Sequence, residues 1–174
     1  MAGDDMQTTG RNPVARPINA GVRIGHVHLK VADLERSLAF YRGVLGFELT
    51  QRFGKSAAFL SAGGYHHHIG LNTWESRGGA APPPGTTGLY HVALLYPTRA
   101  ALADALRRLA AAGIELDGAA DHGVSEALYL RDPDGNGLEL YRDRDEAEWP
   151  RTTEGEIAMF TRPLDVQALL GESG

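Results

Sequence analysis

The stretch "RIGHVHLKVADLERSLAFYRGVLGFEL", residues 23–49, decides the fold because it joins a strand pattern directly to a helix pattern. Apolar and polar residues alternate over 27–31, which predicts a strand with one apolar face. Asp33 has the position of a helix N-cap, and apolar residues then recur at helical spacing until Gly46, a typical helix stop. A helix that follows its strand so closely is expected to cover the strand's apolar face.

Three short extended segments follow this helix and complete a β-α-β-β-β order over residues 22–77. They read "FELTQRF", "AAFLSAG" and "HHHIGLN". The next segment, "SRGGAAPPPGTTG", is rich in glycine and proline, which break regular structure and mark a boundary. Beyond it, residues 87–145 repeat the order with the strand "GLYHVALLY", the helix "TRAALADALRRLAAAG" and three more extended segments.

The two halves correspond closely enough to indicate an internal repeat. The offset is 65 residues between His26 and His91 and 70 residues between Phe59 and Tyr129, a drift that small loop insertions explain. We therefore expect an α+β fold in which two βαβββ modules form one domain. Each helix would cover one side of a small sheet, and the other sides would face a shared concave cavity of the kind that binding sites favour.

The first strand should divide its side chains between the helix and the cavity, since successive residues of a strand point to opposite faces. Val27, Leu29 and Val31 are expected to pack under the helix. His26 and His28 are expected to face the cavity. The two histidines make the polar face unusual, because packing against the helix requires only the apolar face.

Two imidazoles and one carboxylate are predicted to meet in this cavity. His26 and His91 stand at equivalent places in the first strand of each module, and Glu139 lies in the apolar last strand "GLELY". A carboxylate is costly in such surroundings unless it is paired or coordinated. Two histidines and one carboxylate form the facial triad of non-haem Fe(II) sites, which leaves positions open for substrate and dioxygen. The repeat therefore predicts that these three residues ligate one divalent metal ion.

A hairpin should bring a tyrosine beside this carboxylate. The sequence "DPDGNG" has the proline, aspartate and glycine residues of a tight turn. Pairing "EALYL" with "GLELY" across that turn places Tyr129 opposite Glu139 on one face. His122 lies just before the first of these strands and is a further candidate.

Composition limits the kinds of partner and of metal site. The chain of 174 residues carries a formal net charge of -5, so it lacks the basic footprint expected of a protein that binds nucleic acid or an anionic membrane surface. A small-molecule partner fits better. The sequence contains no cysteine, which excludes disulfides, a thiol nucleophile and a thiolate metal site. Any metal must be held by His, Asp or Glu.

The two ends are expected to differ. Residues 1–21 are polar, contain glycine and proline, and lack the apolar run of a signal peptide, so we expect a poorly ordered tail and a cytoplasmic protein. No apolar run reaches the roughly 18 residues needed to span a bilayer. The C-terminal extension, residues 146–174, carries apolar residues that should pack either on their own domain or on a second subunit. The second possibility predicts a homodimer.

The sequence resembles the vicinal oxygen chelate superfamily, which includes glyoxalases, bleomycin-resistance proteins and extradiol dioxygenases. The resemblance is carried by residues 23–49 and by "DPDGNGLELY", and it covers about residues 22–145. The order "LYHV", "DHGVSEALYL" and "NGLELY" is most similar to the catechol 2,3-dioxygenase branch. It implies one vicinal oxygen chelate domain that cleaves a small aromatic diol with dioxygen. Many such enzymes have four modules in a longer chain, whereas this one has two.

The resemblance also implies roles for individual residues. It makes His26, His91 and Glu139 the ligands of Fe(II), although another divalent metal is possible. It places His67 near the dioxygen. His122 and Tyr129 match residues that hydrogen-bond and transfer protons around the bound diol. Alternation from Ile69 and Leu71, however, puts His67 on the helix side of its strand and leaves His68 as the rival that faces the cavity.

Two other functions are compatible with the same fold. One is a glyoxalase-like lyase or isomerase, a branch in which the last strand of both modules supplies a carboxylate ligand; "HHHIGLN" has no acid. The other is a metal-free protein that binds a drug in the cavity. Such a protein has no need of two matched histidines and Glu139.

Overall fold

The computed structural model describes residues 17–172. Most of the expected N-terminal tail, residues 1–16, therefore lies outside the described residues. The first module comprises β1 (Val27–Lys30), α1 (Leu34–Leu38) with a π-helical continuation (Ala39–Val44), β2 (Glu48–Phe53), β3 (Ala57–Ser61) and β4 (Ile69–Asn72). The second comprises β5 (Val92–Leu95), α2 (Arg99–Ala111), β6 (Gly118–Asp121), β7 (Ser125–Arg131) and β8 (Gly137–Asp143). A 3-10 turn (Glu146–Glu148), β9 (Arg162–Pro163) and α3 (Val166–Leu170) follow.

The two modules form sheets of the same design, which confirms the predicted α+β repeat. The first sheet has the order β1-β4-β3-β2, and the second has the order β5-β8-β7-β6-β9. In each, the first strand pairs in parallel with the last strand of its module, and the remaining neighbours are antiparallel. Each first strand therefore lies at a sheet edge, and the last strand of the same module lies beside it.

The apolar half of the predicted division of the first strand is confirmed, whereas His28, predicted to face the cavity, is exposed and is not among the residues that line it. Leu29 and Val31 are buried in the core, and Val27 packs partly buried against it. Asp33 caps α1, since its side chain accepts hydrogen bonds from the backbone N–H groups of Glu35 and Arg36. The helical segment ends before Gly46, whose φ of 85° suits glycine.

The turn "DPDGNG" joins the two modules as well as the two strands of its hairpin. The hydroxyl of Tyr41 in the first module donates to Asp132 Oδ2 at 2.9 Å, and both residues are buried. Asp134 forms an ion pair with Arg36 at 2.6 Å and accepts a hydrogen bond from Ser37. Burial and the neighbouring Asp132 raise the pKa of Tyr41 well above its usual range. The sequence predicted only the turn.

The C-terminal extension packs on its own domain, one of the two alternatives that the sequence left open. The side chain of Leu169 is fully buried, and Leu164 and Leu170 pack partly buried against the core. Strand β9 pairs with β6 and adds a fifth strand to the second sheet. Much of the apolar surface that suggested a homodimer is therefore covered within one chain. The homodimer itself stays a prediction.

Candidate active site

The hairpin of β7 and β8 has the predicted register and sets the centre of the site. Tyr129 lies opposite Glu139, and Ala93 of β5 is the partner of Glu139 on the other side. Directly paired residues share a face of a sheet, and so do residues two apart along a strand. His91, two residues before Ala93, is therefore directed to the same region as Glu139.

A continuous chain of polar contacts runs through four of the candidate residues. The hydroxyl of Tyr129 donates to Glu139 Oε1 at 3.0 Å, and its oxygen lies 2.8 Å from His122 Nε2. The second carboxylate oxygen, Oε2, lies 3.1 Å from His91 Nε2. The Glu139 side chain is only 14% exposed, so the carboxylate is held by partners instead of water. The structure brings His91, Glu139, Tyr129 and His122 together.

The surroundings of Tyr129 keep its hydroxyl protonated. Burial, followed by the hydrogen bond to Glu139 and that carboxylate's charge, raises the pKa of Tyr129 to about 12. At neutral pH the residue is therefore a hydrogen-bond donor. Its proton can be directed to Glu139 or to His122, but not to both at once.

The outward side of His122 meets residues that sequence reasoning missed. Its Nδ1 lies 3.1 Å from the Phe160 carbonyl oxygen and 3.2 Å from Thr161 Oγ1. Both belong to the C-terminal extension, far from His122 in the sequence. No motif marks this contact; only the pairing of β9 with β6 brings the segments together.

The histidine pair in dispute, His67 and His68, occupies two different environments. The ring of His67 lies 4.5 Å from that of His26 and 5.0 Å from that of Phe59, measured between centroids. In His68, the ring nitrogen Nδ1 lies 3.1 Å from Ser61 Oγ. Strand β4 begins at Ile69, so its alternation does not govern His67. Burial and the charges of neighbouring histidines, His26 first, lower the pKa of His67.

A cavity of about 880 Å³ lies between the two modules. It is lined by His26 and Val27 from the first module and by His91 and Leu94 from the second. His68 also lines it, on the side of the first module. Apolar side chains account for most of the wall, whereas Glu139, Tyr129 and His122 are not among the residues that line it.

The candidate ligands of a metal are only partly gathered. Within residues 17–172, no three His, Cys, Asp or Glu side chains are grouped closely enough to hold a metal ion. His91 and Glu139 are adjacent, whereas His26 shares the cavity with His91 without joining that pair. The donor set of two imidazoles and one carboxylate suits Fe(II) in its chemistry. The fit of the site to a metal ion therefore rests on these donor types and on the His91–Glu139 pair.

Residues 23–140 match the Glyoxalase/Bleomycin resistance protein/Dioxygenase superfamily. The chain belongs to this superfamily. Among curated members, it is 43% identical over 158 residues to the catechol-2,3-dioxygenase of Bacillus subtilis (strain 168). The aligned residues are 90% of this chain and 54% of that protein. It is 36% identical over 123 residues to biphenyl-2,3-diol 1,2-dioxygenase 3 of Rhodococcus globerulus, covering 70% and 63% of the two chains.

Solved structures of the superfamily support the same fold. The glyoxylase/bleomycin resistance protein/dioxygenase domain from Frankia sp. EAN1pec is 27% identical, has a TM-score of 0.59, and covers 71% of this chain and 98% of its own. The chain spans only about half to two thirds of the length of the two curated dioxygenases. Among the described residues of this superfamily member, no helix is long and apolar enough to cross a membrane.

Proposed function

We propose that the chain is an Fe(II)-dependent extradiol dioxygenase that cleaves the ring of a small catechol next to its two hydroxyl groups. One observation carries the proposal: the contact chain from His91 through Glu139 and Tyr129 to His122. It combines candidate metal ligands with a hydrogen-bond donor and a candidate base. The identity to catechol- and biphenyl-diol dioxygenases supports the same reaction class.

In this proposal His26, His91 and Glu139 hold the metal. Bound Fe(II) would bring the diol and dioxygen into contact and stabilise the negative charge that develops. Tyr129 donates a hydrogen bond toward the site, because its raised pKa keeps the proton on its oxygen. His122 stands one hydrogen bond further out, where it accepts or returns a proton through Tyr129.

His67 is proposed to act beside the dioxygen. Its ring is adjacent to the proposed ligand His26, and its lowered pKa favours the neutral form, which accepts a proton. His68 has the weaker claim, since its Nδ1 is engaged with Ser61 Oγ. Replacing each in turn with alanine distinguishes them, because only the histidine that acts should lower the rate at saturating diol.

The deciding experiment is anaerobic reconstitution with Fe(II), followed by oxygen uptake on a panel of simple, alkylated and aryl catechols. The expected result is oxygen consumption together with a yellow ring-fission product of the hydroxymuconic semialdehyde type. If protein fully loaded with iron consumes no oxygen with any diol in the panel, the dioxygenase proposal is abandoned.

Two rival functions have different standing. The lyase alternative needs a carboxylate in the last strand of the first module, but the position equivalent to Glu139 is Gly70, the strand partner of His28. The metal-free binding protein is favoured by one observation, the absence of a three-residue ligand group within residues 17–172. Metal analysis of the reconstituted protein separates it from the dioxygenase.

We further propose that the protein works as a homodimer. Met159 and Ile157 of the extension are 65% and 46% exposed, and Tyr90 is 84% exposed. Exposed apolar side chains of this size are candidates for subunit contacts. Light scattering at micromolar concentration tests the proposal, and a monomer would contradict it.

A further inference from the structure

The C-terminal extension reaches the candidate site through one histidine. His122 Nδ1 lies within hydrogen-bonding distance of the Phe160 carbonyl, at 3.1 Å, and of Thr161 Oγ1, at 3.2 Å. On its other side, Nε2 lies 2.8 Å from the Tyr129 hydroxyl. Both ring nitrogens of His122 are therefore engaged, one by the extension and one by the site.

Tight packing holds the extension in this place. The Phe160 N–H donates back to the His122 carbonyl at 3.2 Å, and Arg162 pairs with Asp121 in the β6–β9 ladder. Gly123 has a φ of 78°, and a Cβ there would lie 2.6 Å from the Phe160 ring and 2.8 Å from Pro150. Only glycine permits this close approach.

The Phe160 carbonyl is the partner that fixes where the His122 proton lies, since the Thr161 hydroxyl can either donate or accept. A backbone carbonyl only accepts hydrogen bonds, so the contact with Phe160 requires hydrogen on Nδ1. In the neutral ring, the other nitrogen, Nε2, then carries the lone pair. That lone pair is directed at the Tyr129 hydroxyl.

We propose that the Phe160 carbonyl and Thr161 are positioning groups, which hold His122 as the Nδ1–H tautomer with its basic nitrogen facing Tyr129. The role assigned to that nitrogen rests on the proposed function, whereas the tautomer does not. The extension thereby becomes part of the catalytic apparatus. Neutral histidine in water favours the Nε2–H tautomer, so without these acceptors Nε2 would not be kept free.

The tautomer of His122 decides whether this ring can accept the hydroxyl proton of Tyr129. The one hydroxyl hydrogen of Tyr129 is donated either to Glu139 Oε1 or to His122 Nε2, and the Nδ1–H tautomer allows the second. If His122 carried its proton on Nε2, that N–H would donate to Tyr129 and could accept nothing from it. With the proton on Nδ1, Nε2 is a base that takes a proton from the Tyr129 side and returns it.

The test reads the tautomer directly, in the metal-free full chain without substrate. Protein labelled with ¹⁵N-histidine is studied by NMR above about pH 8, where an ordinary imidazole is neutral. The expected spectrum of His122, assigned by comparison with His122→Asn, shows a protonated Nδ1 and an unprotonated Nε2. A predominantly Nε2–H ring would overturn the proposal.

Variants separate positioning from simple packing. Thr161→Val removes one acceptor without changing the shape, and Gly123→Ala forces the Phe160 ring away from the turn. Both should increase the Nε2–H form of His122, while Thr161→Ser should restore the wild-type spectrum. The matched control is Thr153→Val in the same extension, whose hydroxyl donates only to neighbouring Glu154. If neither Thr161→Val nor Gly123→Ala changes the tautomer, the proposal is wrong.

Kinetics supply the second measurement. In the iron-loaded protein, Thr161→Val should lower kcat several-fold and leave KM nearly unchanged, because Thr161 orients the base without touching the diol. Thr161→Ser should recover the rate, and Thr153→Val should match the wild type. A lack of turnover with every diol would reject the proposed function and leave the NMR result standing. An altered tautomer with unchanged kcat would reject the catalytic role of the extension.

Discussion

The two modules place very different side chains at equivalent positions of the same backbone. In each sheet, one residue of the first strand, one of the last strand and one of the third strand lie side by side. In the second module these are Ala93, Glu139 and Tyr129; in the first they are His28, Gly70 and Phe59. The repeat is thus preserved in backbone and register but not in chemistry.

This difference explains how a repeated fold can hold a single asymmetric site. Where the second module has a carboxylate held by a hydroxyl, the first has a glycine covered by an imidazole: a Cβ at Gly70 would lie 2.9 Å from His28. The first module contributes His26, with His67 beside it, and no acid. Polar contacts are concentrated in the second module, so substitutions there should have the larger effects on chemistry.

The largest effect is expected for Glu139→Gln, which leaves the second module, like the first at Gly70, without a carboxylate at this position. The amide keeps the shape but removes the charge that balances a metal ion, so bound iron and oxygen uptake should both fall to background. Metal analysis and an oxygen electrode measure the two results. Glu48→Gln, at an exposed carboxylate of β2, is the matched control and should retain both. Full iron content in Glu139→Gln would remove Glu139 from the ligand set.

Tyr129→Phe should have the next largest effect, since it copies Phe59 into the second module. It removes the hydroxyl that links Glu139 to His122 and leaves the three proposed metal ligands unchanged. Iron should stay bound, and kcat should fall about 10²-fold, the lower range for a positioned proton-transfer group. Stopped-flow measurement of the yellow product gives the rate.

The reciprocal change, Phe59→Tyr, sharpens the comparison. The new hydroxyl would lie opposite Gly70, which has no carboxylate to accept from it. Turnover should therefore not rise. Equal rates for wild type and Tyr129→Phe would contradict the proposed role of the hydroxyl chain.

A stability effect is expected at the glycine of the first module. Gly70→Ala should destabilise the fold by about 1–3 kcal/mol, the usual cost of overpacking, because the added methyl group meets the ring of His28. Urea unfolding followed by circular dichroism measures the change. The double variant with His28→Ala should recover most of the loss. If the two changes were simply additive, the contact between Gly70 and His28 would not be the cause.

The sequence predicted those features that repeat at regular intervals. The period-2 and helical patterns gave both modules, and the turn "DPDGNG" gave the pairing of Tyr129 with Glu139, which the ladder confirms. These depend on neighbours in the chain or on symmetry between halves. The ligand set of His26, His91 and Glu139 stays a prediction.

Long-range contacts made by single residues were beyond reach of the sequence. The Tyr41–Asp132 hydrogen bond joins the modules, and the Phe160 carbonyl contacts His122. No local sequence pattern indicates either contact. A carbonyl contact has no residue signature at all, because every residue has one. Alternation does not decide between His67 and His68, since strand β4 starts only at Ile69; His68, the residue that alternation favoured, lines the cavity.

The smallest expected effect concerns the ionisation of Tyr129, which faces a carboxylate that the first module lacks. In the metal-free protein, Tyr129 should ionise near pH 12, about two units above an ordinary tyrosine, because it is half-buried and faces Glu139. Subtracting the ultraviolet titration of Tyr129→Phe from that of the wild type isolates this group among six tyrosines. A value near 10 would contradict both the burial of the phenol and its contact with the carboxylate.

The sign of the effect follows from the raised pKa of Tyr129. Its contribution to the free energy of unfolding is complete below about pH 10, the ordinary value, and is lost as the pH rises through about 12. Glu139→Gln should bring the pKa of Tyr129 part of the way back toward 10, since burial, the first cause of the shift, remains. A tyrosine placed at position 59 has no facing carboxylate, so it should ionise below Tyr129 in the same titration. Circular dichroism recorded alongside limits the comparison to pH values at which the fold persists.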